Sequence, residues 1–201
     1  MLIDFSRVNG GETTMYELSQ TLNLTVADLR NATLASLEAI LSIIGDAGDA
    51  QVTHTPVDTF ADDPHAPPEF QHVGWSLAHL VMHMTATCEE SAAVASLLAR
   101  GIAYPGEPRL RYETDWQTVT TRAQVLQRLE ESRRIRLGYL DTFPDSPHLD
   151  VFRDVSENFL VKFGKMNAIS QYLMGLKHEI GHHDQFREAG RQARLIAVPI
   201  D

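Results

Sequence analysis

Four stretches of this chain repeat apolar residues at three- and four-residue intervals, and each is bracketed by signals that start and stop helices. Thr25-Val26-Ala27-Asp28 reads as a capping box, after which Val26, Leu29, Thr33, Leu37, Ile40 and Ile44 recur up to Gly45. Ser76 is placed to cap a second helix that reaches about Arg100, with Gly101 as its stop. Thr121, with Gln124 three residues on, opens a third through Val125, Leu126, Leu129, Ile135, Leu137 and Leu140, and Phe143-Pro144 ends it. Its mixed Arg and Glu residues imply a solvated outer face. The last helix is expected from near Asn167 to about Leu195, carrying Ile169, Tyr172, Leu173, Leu176, Ile180 and Phe186.

The connections are unequal. Pro56, Pro64, Pro67 and Pro68 forbid continuous helix between the first and second segments, and residues 149–163 leave room for at most a short extended piece. The pattern therefore predicts an all-α fold, a four-helix bundle with long interhelical connections, in which the two long links permit crossovers. A chain of 201 residues with 43% hydrophobic content fits a single domain, expected over residues 16–201. Residues 1–15 read as a poorly ordered leader.

Composition narrows the partners. A formal charge of −10 with no basic stripe argues against nucleic-acid binding, which needs clustered cations to displace counterions from phosphates. The strongly apolar run at residues 92–99 is far short of the roughly 20 residues that span a bilayer. Asp4, Arg7 and Glu12 interrupt the N-terminal apolar residues before a signal-peptide core forms, and the one cysteine, Cys88, cannot make an internal disulfide. A cytoplasmic address and a small-molecule substrate are the resulting expectations, along with pairing into a homodimer through a helix face.

The chemistry lies in the histidines. His178 and His182 are four residues apart on the last helix, so their imidazoles share one face at roughly 6 Å and can close on one metal ion. A third nitrogen is expected from the second helix, where His79 and His83 sit one turn apart on the same face. Three imidazoles with an open position make a catalytic type of site, whereas a fourth protein ligand would close it. His183 lies about 100° around the helix from His182 and is expected to hydrogen-bond at the bundle rim. Gln185 and Asp184 are candidates to fix an imidazole tautomer, Trp75 reads as a packing anchor, and Cys88 as a buried small hydrophobe.

Trp75-Ser76 followed by His83, then a distant His178-x-x-x-His182 followed by Gln185, resembles the paired motifs of the DinB/YfiT-like superfamily of metal-dependent enzymes. The resemblance covers the first helix to about Leu195. It implies a four-helix bundle in which His83, His178 and His182 bind a divalent transition metal, with zinc or nickel expected. Many relatives carry Arg and Gly where this chain has His183 and Asp184.

Neither Glu179, after His178, nor Glu90, seven residues after His83, is expected to act as a base in the manner of the zincin His-Glu-x-x-His glutamate, a pattern the chain is expected to miss. The lack of a base favours a reaction in which the metal activates a low-molecular-weight thiol co-substrate. Some members of the resembled family are thiol-dependent transferases or isomerases, and a small electrophile is the expected substrate. A metal-dependent hydrolase and a non-catalytic metal-binding stress-response protein are the alternatives.

Overall fold

A computed structural model of the chain describes residues 2–196. The four long helices arise where the caps and periodicity place them: α3 (Val26–Ile44), α5 (Leu77–Ala99), α6 (Arg122–Asp141) and α8 (Ala168–Gly181), the last followed by α9 (His183–Ala193). Short helices α1 (Ser6–Asn9) and α2 (Met15–Leu22) precede α3, and α4 (Asp49–Val52) and α7 (Glu157–Phe163) fall in the connections. The caps that start them are formed. Thr25, Thr121 and Asn167 each close a reciprocal capping box, and Ser76 accepts the His79 backbone N–H at 3.1 Å.

Among the described residues there is no strand. The short extended piece expected at residues 149–163 is reduced to one bridge between Arg153 and Met166, and much of that span is the helix α7. No helix there is long and apolar enough to cross a membrane.

The packing order follows from helix chemistry. α5 is Ala-rich and buried almost all the way round, so it is the central helix, and it packs against α6 on one side and α8 on the other. α3 also packs against both α6 and α8. The cyclic order is therefore α3, α6, α5, α8, and the long links between α3 and α5 and between α6 and α8 each cross the diagonal. Close approach of α5 and α8 depends on Gly175, where a Cβ would meet the Ser91 Cβ at 2.8 Å.

Two expectations are corrected here. Residues 2–15 are built into the fold rather than forming a loose leader: Ile3, Phe5, Val8 and Met15 are buried in one cluster with Leu29, Tyr172 and Leu173. Their apolar spacing is too short to register as a helix of its own, yet it covers the end of the bundle. The domain expected over 16–201 thus takes in the preceding residues, while residues 197–201 lie outside the described ones. The last helix, expected unbroken to about Leu195, is interrupted at His182, whose N–H bonds back three residues to Glu179.

α6 also differs from its reading. Val125, Leu129 and Leu140 face inward as expected, but Ser132 and Arg136 complete the buried stripe and Ile135 is 39% exposed. Arg136 is neutralised inside the bundle by Glu179 of α8, its Nη1 donating to Oε2 at 2.8 Å.

Candidate metal centre

The interruption at His182 and the start of α5 bring three imidazoles together. His83, His178 and His182 each offer a nitrogen, and these atoms all lie within 4.8 Å of one another. Their ring centroids are 4.6 Å apart for His178 and His182, 5.0 Å for His83 and His178, and 5.5 Å for His83 and His182. An ion about 2.0–2.1 Å from each nitrogen would need them about 3.3 Å apart, closer than the 4.8 Å within which they lie here.

Protonation and hydrogen bonding suit a cation. Burial, reinforced by the neighbouring imidazoles and by Arg111, pushes His178 down to about 3, and burial also lowers His182, so both rings are neutral at neutral pH with a lone pair to give. Gln185 Oε1 lies 2.8 Å from His182 Nδ1, and accepting that N–H leaves Nε2 as the ligand atom. His178 Nε2 is buried with no hydrogen-bond partner, a condition that costs about 1–3 kcal/mol unless something binds it. These residues fit a divalent ion.

His79, the competing ligand from α5, is placed elsewhere. Its ring is sandwiched between Trp75 at 4.4 Å and Trp116 at 4.7 Å, and burial lowers it to about 4. Trp75 is more than a packing anchor. Its indole also lies 4.6 Å from the His83 ring and 5.8 Å from His182, walling the triad. His183 hydrogen-bonds as expected, but it is buried, with Nε2 3.0 Å from Ser36 Oγ, and is not at the rim. Asp184 is exposed and pairs with Arg187. Cys88 is buried, and burial next to Glu179 pushes its thiol well above its ordinary value, which leaves it unreactive.

The carboxylates need correcting. His178-Glu179-Ile180-Gly181-His182 does have the His-Glu-x-x-His spacing that the chain was expected to miss. It is still no zincin site, because Glu179 is fully buried and committed to Arg136. Glu90 is held by Arg109, whose Nε donates to it at 3.0 Å. The carboxylate that does reach the triad is that of Glu113, with Oε1 3.5 Å from His83 Nδ1. Burial would raise its carboxyl, but the neighbouring His83 and the charge of Arg111 outweigh that and hold it below the usual range.

Arg111 and Glu113 come from the loop between α5 and α6, and no spacing ties them to His83 in the sequence. They line a cleft of about 810 Å³ together with Phe70, His79, His83 and Trp116. A second hollow of about 360 Å³ is lined by Trp75 and by Gln185, the partner of His182.

The fold and site together define an all-helical bundle with three converging imidazoles that could hold a metal ion, one of which, His83, lines a cleft. The chain belongs to the DinB superfamily, whose family model matches residues 14–186. No curated protein and no solved structure matches it.

The helices are held together by three clusters of buried apolar side chains, which form a core without calling on an ion. Stripping any bound ion with a chelator is therefore expected to lower the melting temperature while leaving helical circular dichroism in place. Collapse of the helical signal would show that the ion builds the fold.

Proposed function

We propose that this chain is a divalent-metal-dependent enzyme acting on a small electrophile with a low-molecular-weight thiol as co-substrate, in a transfer or isomerisation. The observation that carries the metal reading is the unpartnered, buried Nε2 of His178 among imidazoles that are neutral or aligned by a neighbour. An ion held there by His83, His178 and His182 would lower the pKa of a bound water or thiol and polarise a carbonyl.

Two features favour a two-substrate, thiol-dependent reaction. His83 lines one hollow, and Trp75 and Gln185, which contact the triad, line another. The chain's one cysteine is buried, so a reacting sulfur must be brought in from outside. In the transfer, a carbon–sulfur bond forms as the bond to the leaving group breaks, and the thiol proton passes to solvent. Trp75, Trp116 and Phe70 would limit water near the triad.

Metal-dependent hydrolysis is the second reading, favoured by Glu113, an ionised carboxylate lining the cleft beside His83. The two are separated by assaying metal-loaded protein on a panel of small electrophiles, esters and amides with and without thiol. Turnover is expected only with thiol and metal both present. Ester or amide cleavage that is equal without thiol would replace this reading with the hydrolase.

A further inference from the structure

One nitrogen of the triad has two incompatible neighbours. His83 Nδ1 lies 3.3 Å from Arg111 Nη2, which can only donate, and 3.5 Å from Glu113 Oε1, which as an ionised carboxylate can only accept. A single Nδ1 satisfies one of them. If it accepts from Arg111, the ring proton sits on Nε2 and that nitrogen has no lone pair for an ion. If Nδ1–H donates to Glu113, Nε2 is free to ligate, the same division of labour that Gln185 imposes on His182.

We infer that Glu113 positions His83 for metal ligation and that Arg111 opposes it, so that this loop pair sets how tightly the triad holds an ion. The inference rests on the metal reading above. Arg111 can release Nδ1 at little cost, because its guanidinium keeps other partners: Thr87 Oγ1 at 3.4 Å, the His83 carbonyl at 3.5 Å, and Glu113 itself. Among the described residues, the side-chain partners of Glu113 are His83 and Arg111, and its carboxylate is placed to accept from the ring. With His83 handed to Glu113, an N–H of Arg111 is released toward the cleft that both residues line.

A positioning role and a merely structural one predict different signs. If the loop pair only held the loop in place, removing either residue would loosen the site. If the pair sets the tautomer, Glu113→Ala weakens binding and Arg111→Met strengthens it, because the latter removes both a competing donor and a cation beside the ion. Affinity for Co(II) alone would be measured at neutral pH by chelator competition, with the visible absorption of the bound ion and the ¹⁵N resonances of His83 as spectroscopic readouts. Circular dichroism of each variant would verify the bundle.

Glu113→Ala is expected to bind about tenfold more weakly, with Glu113→Gln recovering part of the loss because its amide oxygen still accepts. Arg111→Met is expected to bind at least about threefold more tightly. In the loaded wild type, His83 should carry its proton on Nδ1. Glu113→Ala binding no more weakly than the wild type, or Arg111→Met binding no more tightly, overturns the inference while leaving the metal reading intact, provided His178→Ala abolishes uptake. A wild type that takes up no ion overturns both.

Discussion

Replacing His83, His178 or His182 singly with Ala is expected to lower the affinity for a divalent ion by well over about tenfold, whereas His79→Ala changes it only by about a few-fold. The asymmetry follows from where the two α5 histidines point. His83 joins the cluster whose ligand atoms lie within 4.8 Å of one another, and His79 is wedged between two indole rings. His79→Ala should therefore appear in stability, at about 1–3 kcal/mol, the usual range for truncating a buried side chain. Chelator-competition titrations and thermal melts on the same four variants separate the two effects. If His79→Ala empties the site and His83→Ala does not, the ligand assignment is wrong.

The largest stability effect is expected from the Arg136–Glu179 pair. Both side chains are almost wholly buried, at 2% and 0% exposure, and the bond between them is 2.8 Å. Burial disfavours the Arg136 charge, but Glu179 more than offsets this and holds its pKa above the ordinary value, so the guanidinium stays ionised inside the core. Removing one partner strands a charge there, and Glu179→Ala or Arg136→Met alone should cost about 3–5 kcal/mol. The double replacement Arg136→Met with Glu179→Leu removes both charges and should recover most of that loss, since paired burial adds little over apolar packing. Urea unfolding of the single and double variants closes the cycle. Singles that cost under about 1 kcal/mol, or a double variant as poor as the sum of the singles, would show that the pair does not behave as a buried ion pair.

The same residues show how far local pattern reaches. α6 read as an amphipathic helix with a charged outer face, and Arg133 paired with Glu130 at the surface agrees with that. Arg136 lies three residues further on, about 60° round the helix, yet is buried. Spacing puts Arg136 in register with Val125, Leu129 and Leu140, but the carboxylate that neutralises it comes from α8, across the diagonal of the bundle. Glu179 is the reverse case. Its position after His178 matches a catalytic spacing, and only the partner on another helix reveals it as a core residue.

At the candidate metal centre, the i, i+4 spacing of His178 and His182 and the helix that carries His83 were legible, because one helical turn puts such residues on one face whatever surrounds them. The choice between His79 and His83 rested on resemblance alone, since both share that face. Tertiary structure separates them by packing Trp75 and Trp116 on the two sides of His79. Arg111 and Glu113 left no trace in any periodicity, because they reach His83 from a loop whose path is set by packing and not by local repeat.

By itself the sequence determined what depends on neighbours a few residues away: the caps at Thr25, Ser76, Thr121 and Asn167, the extents of the first three long helices, and the pairing of His178 with His182. Those features follow from backbone hydrogen bonding and helical repeat, which are local. The cyclic order of the helices, the burial of Ile3, Phe5 and Val8, the buried Arg136–Glu179 pair and the two opposed partners of His83 were decided only by tertiary structure. Each depends on groups far apart in the chain, which only packing of the whole bundle brings within hydrogen-bonding or van der Waals reach.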